Sequence, residues 1–167
     1  MFKVGVSESC TGGNIQSLIT ANSGVSQWFN GGISAYDINI KKELLGVPLK
    51  ISKSCKCVSP EVASLMATGT NKLMNSVISV STTGYVGTNE ITKYPYCFIG
   101  IATPFGCDVR LFCTDNDDRV IVQKKMANTA IELMLNVYLI YKDKFMEMYD
   151  KSTLNHFEDV LTRILNK

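Results

Sequence analysis

Two stretches of this chain carry side chains whose types and spacing could do chemistry. The first is Ser7-Glu8-Ser9-Cys10-Thr11-Gly12-Gly13. It follows the apolar run Phe2-Lys3-Val4-Gly5-Val6 and precedes Ile15, Leu18 and Ile19 at helical spacing. That order predicts strand, turn and helix, with the hydroxyls at the carboxyl end of the strand, where open α/β sheets bind ligands. The start of the helix offers N–H groups and a positive dipole end, able to hold an oxyanion or a phosphate. A hydroxyl in that place can serve as a nucleophile. Small-residue turns of this kind also cap helices for structural reasons alone.

The second is Lys41. On a helical wheel starting at Ile38, the apolar Ile38, Ile40, Leu44 and Leu45 flank Lys41, whereas Lys42 points away. An amine held against apolar surroundings loses hydration, its pKa falls, and it can accept a proton from a serine. The alternative is that its stem packs while its head reaches water. The chain has one histidine, His156, close to the C-terminus, so a Ser-His-Asp triad is poorly supplied. A Cys10–His156 pair would require the tail to reach the first turn. Serine with lysine is the available nucleophile–base combination.

Positioning these groups takes a series of strands and helices. Trp28 to Tyr36 reads as a second strand. Asp37 can cap a short helix that stops at Gly46, and Lys50 to Val58 reads as a polar, basic loop. Ser59-Pro60-Glu61 is a helix start with Val62, Leu65, Met66, Gly69 and Leu73 on one face. Val77 to Ser81 is a third strand that runs into a small-residue loop, Thr82-Thr83-Gly84-Tyr85-Val86-Gly87-Thr88. Tyr96 to Thr103 and Val109 to Cys113 read as a strand pair around Pro104-Phe105-Gly106. Asp115 to Asp118 precedes a long helix, Arg119 to Lys142, whose second half is apolar nearly all round and is expected to be central and buried. A last helix runs from Thr153 to Asn166 with the stripe Leu154, Phe157, Leu161, Ile164 and Leu165. The fold expected is a three-layer α/β/α sandwich with a mixed, mainly parallel sheet.

The 167 residues amount to one domain, and 46% hydrophobic against 19% charged residues is enough for a packed core. Lys plus Arg is 17 and Asp plus Glu is 15, a net +2, which argues against a nucleic-acid or anionic-membrane surface. The longest apolar stretch, Ala130 to Tyr141, is too short for a bilayer span. The start has no h-region with a cleavage site, so a cytoplasmic protein is expected. The six cysteines, Cys10, Cys55, Cys57, Cys97, Cys107 and Cys113, form no C-x-x-C pair. Most are expected to be free, small, buried hydrophobes, and a zinc site is poorly supplied.

Ser7 to Gly13 resembles the signature of the CinA C-terminal domain family, which comprises bacterial nicotinamide-nucleotide amidases and the domain attached to competence/damage-inducible protein A. The likeness continues through Gly24 to Tyr36, Lys41 to Val47 and Val58 to Ala63, and it spans roughly Val4 to Leu139. Thr83-Gly84-Tyr85-Val86-Gly87 and Asp118-Arg119 occupy the places of two further family motifs. The resemblance implies a dimeric three-layer fold that hydrolyses the carboxamide of nicotinamide mononucleotide to nicotinic acid mononucleotide and ammonia, without metal or other cofactor. It implies Ser9 as nucleophile and Lys41 as base, with Ser26 and Tyr36 completing the catalytic set. Substrate binding then falls to Cys10, Thr11, Gly12, Gly13, Thr83, Gly84 and Arg119, with N–H groups of the Cys10-to-Gly13 turn holding the oxyanion.

Some features depart from the family pattern. Asp37-Ile38-Asn39-Ile40 changes two polar positions between Tyr36 and Lys41; Tyr85 and Thr88 alter the second loop; and Lys93-Tyr94-Pro95-Tyr96 replaces a Lys-Pro-Val-Gly stretch. The family carries a helix before its first strand, and with few residues before Val4 no counterpart is expected here, whereas residues 143–167 are expected to add a helical extension to the domain of residues 1–142. That extension is expected to fill the vacated groove beside Phe2 to Ser7, or to make a dimer contact. Besides the amidase, two readings stand: a non-catalytic nucleotide-binding module, and an amidase for a different small amide.

Overall fold

A computed structural model of the chain describes residues 1–88, 90–116 and 118–167. Asn89 and Asp117 lie outside the described residues, and with Asp117 so does part of the segment expected to lead into the long helix. Five strands form one sheet in the order β2-β1-β3-β4-β5: β1 (Val4–Glu8), β2 (Phe29–Ser34), β3 (Ile78–Tyr85), β4 (Tyr96–Thr103) and β5 (Gly106–Cys113). The sheet is mixed: β1 runs parallel to β2 and β3, while β3, β4 and β5 are successively antiparallel. The antiparallel half is thus as large as the parallel one. The Thr82-to-Tyr85 segment, expected as loop, continues β3 because it pairs with β4 down to Tyr85 opposite Tyr96.

Helices cover both faces. On one lie α1 (Asn14–Thr20), α5 (Arg119–Ile140) and α7 (Lys151–Leu165), preceded by the short α6 (Lys142–Met148). On the other lie α2 (Ile38–Leu45) and α4 (Pro60–Met74), with α3 (Leu49–Ser54) against α2. The basic loop of the sequence reading therefore contains a helix. It starts after Pro48 and leaves Ile51 half-buried against the smaller apolar cluster under α2. The alternation of β1 separates the faces: Val4 and Val6 enter the main core, while Gly5 faces Met74 and Ser76 and Ser7 faces Thr70 of α4.

Local chemistry explains the helix ends. Asp37 accepts from the Asn39 N–H and Ser59 from the Val62 N–H, and Gly46 closes α2 in left-handed backbone. The second half of α5 is not buried all round, since Leu139 and Ile140 face solvent. Only Cys10 and Cys97 of the six free cysteines are buried; Cys55, Cys57 and Cys107 are half-buried and Cys113 is exposed. The expectation that most cysteines are core residues fails because Cys107 and Cys113 lie on the edge strand β5 and Cys55 and Cys57 in the turn after α3.

The tail lies on the main core. Phe157 stacks edge-on against Phe2 and Trp28, each at 5.1 Å between ring centres, and Leu154, Val160, Leu161 and Ile164 are buried beside it. The Trp28 indole N–H donates to His156 Nδ1 at 3.0 Å. His156 is thus engaged with the residue just before β2, at the amino end of the parallel strands, which removes a Cys10–His156 pair from consideration.

Glu8 ends β1 as a fully buried carboxylate, and α1 consumes it. Its oxygens accept from the N–H groups of Gly13 (3.0 Å), Ile15 (3.1 Å) and Gln16 (2.9 Å), satisfying donors that a helix start leaves open. Gly13 sits at φ +99°, a backbone that other residues rarely adopt and that lets this wrap form. Glu8→Ala is expected to cost about 2–4 kcal/mol, because three buried or half-buried donors lose a charged acceptor. Urea unfolding with an unchanged slope reads the loss. Glu8→Gln should fall between the two, and a variant as stable as the parent would refute the capping role.

Candidate active site

The carboxyl ends of β1 and β3, the start of α2 and the turn after α3 surround one cleft of about 350 Å³. Ser9 and Cys10 form its floor with Lys41. Thr83, Gly84 and Tyr85 make one wall, and Tyr36, Lys56, Cys57 and Arg119 are further lining residues. Gly84 is required for this wall, since a Cβ there would collide with the Tyr96 carbonyl and Cys97 across the strand pair. Tyr85 packs edge-on against Tyr96 at 5.6 Å, which holds an aromatic face along the cleft.

Ser9 is held from below and behind. Its N–H donates to the Thr82 carbonyl at 3.0 Å, Thr11 and Thr82 share a hydroxyl–hydroxyl bond of 2.7 Å, and Gln123 of α5 donates to the Cys10 carbonyl at 2.9 Å. The turn is therefore pinned to β3 and α5 at once, which fixes the direction of the Ser9 side chain. Ser9 is 9% exposed, enough for its hydroxyl to face the cleft.

Lys41 lies beneath it, 1% exposed. Its Nζ stands 3.1 Å from Ser9 Oγ, 2.6 Å from the Ala35 carbonyl and 2.8 Å from the Tyr36 carbonyl. Among the described residues no carboxylate forms an ion pair with it. Burial pushes its pKa below the ordinary 10.5, with Cys57, Cys10 and Asp37 pulling the other way. The two carbonyls have a further consequence. A neutral amine has two N–H donors and one lone pair. In the neutral form, with both donors spent on the carbonyls, the lone pair would be left for the Ser9 hydroxyl. Lys41 is buried as its place on the helix predicts, but the apolar face differs: Ile40 and Leu44 are exposed, and the buried stripe of α2 is Lys41 with Leu45 one turn on.

The other expected site residues divide. Tyr36 lines the cleft, 66% exposed, and its main chain rather than its phenol meets Lys41. Thr83 lines the wall and donates its hydroxyl to the Cys57 carbonyl at 2.6 Å; Arg119 lines the cleft from the first turn of α5. Ser26 is a correction. It sits in a single 3-10 turn before β2, exposed, with its carbonyl accepting from Lys3, whereas the cleft lies past the far end of that strand. It cannot relay a proton between Ser9 and Lys41, which touch each other directly. Thr11, Gly12 and Gly13 are corrections as well. They are not among the lining residues, the Thr11 hydroxyl is buried on Thr82, and the Gly12 and Gly13 N–H groups donate to the Ser9 carbonyl and to Glu8. Among the described residues, the N–H groups of this turn left without a protein partner are those of Cys10 and Thr11.

Sequence reading missed Glu8, Gln123, Lys56 and Cys57. The basic composition of the Lys50-to-Val58 stretch was a usable signal for Lys56. Nothing local marks Gln123, which is 113 residues from its partner.

Residues 1–138 match the family described as the CinA C-terminal domain. A CinA-like protein of Synechococcus sp. is 42% identical over 105 residues, covering 61% of this chain and 25% of that protein. A putative competence-damage inducible protein of Streptococcus agalactiae is 41% identical, covering 59% of this chain and 24% of that protein. The chain thus spans about a quarter of the length of these curated relatives. Among solved structures, a CinA superfamily protein from Escherichia coli superposes with a TM-score of 0.74 at 21% identity, covering 81% of this chain and 80% of that one. A competence/damage inducible protein from Agrobacterium tumefaciens gives 0.72 at 25% identity, over 81% and 84%. No helix among the described residues is long and apolar enough to cross a membrane. With its family match running from the first strand through α5, the chain belongs to the CinA C-terminal domain family.

Proposed function

We propose that this chain is a serine–lysine amidohydrolase acting on the carboxamide of a pyridine nucleotide, nicotinamide mononucleotide, to give nicotinic acid mononucleotide and ammonia. The observation that carries this reading is the 3.1 Å contact between Ser9 Oγ and the buried Nζ of Lys41. Neutral Lys41 takes the hydroxyl proton as Ser9 Oγ bonds to the amide carbon. The carbonyl oxygen becomes an oxyanion, for which the N–H groups of Cys10 and Thr11 are available. The C–N bond then breaks, and the leaving nitrogen takes the proton from the Lys41 ammonium and departs as ammonia. Water attacks the acyl-enzyme and gives a proton to Lys41, which returns it to Ser9 as the acid leaves. Two hydrogen bonds from Lys41 to main-chain carbonyls hold the amine in place throughout. The Tyr85 ring, braced by Tyr96, offers the cleft a flat face suited to a pyridine ring.

The test is direct. The purified chain incubated with nicotinamide mononucleotide should release ammonia and nicotinic acid mononucleotide in equal amounts, separable by anion-exchange chromatography. Saturable binding of the nucleotide without either product would replace the hydrolase by a binding module. Release of ammonia only from other amides would leave the chemistry and change the substrate.

A further inference from the structure

The cleft has a floor and a rim of different character. Ser9 and Lys41 lie at the bottom, buried, while Lys56 and Arg119 stand exposed at its edge. Of the lining residues none is Asp or Glu. Among the described residues neither Lys56 nor Arg119 forms an ion pair. A substrate whose acyl carbon sits at Ser9 shares the cleft with these two cations. The field there favours an anionic outer end.

Lys56 is carried to this rim by unusual backbone. Lys56 and Cys57 are successive non-glycine residues in the left-handed region, at φ 51° and 64°. Such conformations are disfavoured for residues with a Cβ and persist where surrounding structure holds them. Here the holding contacts are explicit. The Cys57 N–H donates to Ser52 at 2.7 Å, Val58 N–H donates to Cys55 at 3.0 Å, and the Cys57 carbonyl accepts from Thr83 at 2.6 Å. The segment is tied to α3 on one side and to the β3 wall of the same cleft on the other. The position of Lys56 is therefore set by the same wall that faces the substrate.

We propose that Lys56 is a specificity residue of this cleft, pairing with the phosphate at the outer end of a phosphorylated carboxamide substrate so that the nucleotide is preferred over the nucleoside lacking that phosphate. The inference rests on the amidase reading for its choice of substrate. A phosphate close to two negative charges meets two cations that form no ion pair among the described residues, and charge-assisted contacts of this kind are the stronger class of hydrogen bond.

The experiment compares the parent with Lys56→Asn and Lys56→Arg on nicotinamide mononucleotide and on the corresponding riboside. Asparagine tolerates left-handed backbone, so the charge is removed without adding strain. Lys56→Asn should lower the nucleotide-to-nucleoside ratio of kcat/KM about tenfold or more, through KM rather than kcat, and Lys56→Arg should retain most of the preference. A ratio within twofold of the parent, or an equal loss on both substrates, overturns the proposal. If the parent turns over neither substrate, the amidase reading fails, and calorimetric titration with the mononucleotide then decides this inference separately. Tighter binding by the parent than by Lys56→Asn sustains the anion contact; equal binding, or none, overturns it.

Discussion

Ser9→Ala should lower ammonia release from the amide substrate by a factor on the order of 10³–10⁶, the range seen when a covalent nucleophile is removed from a serine hydrolase. The loss falls on kcat, because the missing atom is the one that bonds to the acyl carbon. The fold should be nearly unaffected. Ser9 is anchored through its main-chain N–H to Thr82, and among the described residues its side chain bonds only with Lys41. Thermal unfolding within a few degrees of the parent would therefore accompany the loss. Intact-mass measurement after exposure to a serine-acylating probe gives an independent reading: the adduct should form on the parent and be absent from Ser9→Ala. Turnover by the variant within tenfold of the parent would remove Ser9 from the mechanism, and Cys10, the other buried nucleophilic side chain on this floor, would be the next group to test.

Lys41→Met carries the second large effect and adds a pH signature. The variant keeps the stem and loses the base, so the rate should fall by a comparable factor, on the order of 10³ or more. In the parent, kcat/KM should rise with pH along an acid limb set by the Lys41 pKa, which burial holds below 10.5. Stability should move the same way. Between the lowered native value and 10.5 the unfolded chain binds a proton that the native state has shed, so unfolding becomes harder as pH rises through that window. Below the lowered value both states carry the proton, and the native state bears the full cost of a buried charge. The stability of the parent relative to Lys41→Met should thus shift in favour of the parent as pH is raised. The variant also leaves the Ala35 and Tyr36 carbonyls without their donor, a constant penalty that pH does not change. A stability difference that is flat with pH, or moves in the opposite direction, would contradict a depressed lysine.

The Lys56 and Ser9 experiments address different parts of one cleft. Chemistry at the floor depends on a proton moving between two atoms already in contact. Selectivity at the rim depends on charge facing water. Loss of the first abolishes turnover of every amide, while loss of the second redistributes preference among substrates. The two kinds of variant should therefore be separable in a single set of kinetic measurements.

Several parts of this molecule were legible from local pattern. The strand–turn–helix at Val4 to Thr20, the Asp37 and Ser59 caps and the Gly46 stop rest on interactions within a few residues, which composition and spacing record. The family resemblance is borne out by the match over residues 1–138. The extension of β3 through Tyr85 was not legible, because glycine and threonine there read as loop until β4 supplies a partner strand. Ser26 looked like a site residue by its place in a motif, yet β2 lies between it and the cleft.

What the residue order alone determined was the inventory: a serine in a small-residue turn, two lysines, Lys41 and Lys42, on a short capped helix, no second histidine, and a charge balance near neutral. Tertiary structure decided which of these meet. Lys41 reaches Ser9 across 32 residues because β1 and β2 pair in parallel and deliver the turn and α2 to the same sheet end. It decided that Glu8 caps α1, which leaves the free N–H groups at Cys10 and Thr11, and that two left-handed residues carry Lys56 to the rim. The division has a physical cause. Caps and periodicity are short-range and written locally, whereas desolvation, hydrogen-bond competition and charge proximity depend on which distant segments packing brings together.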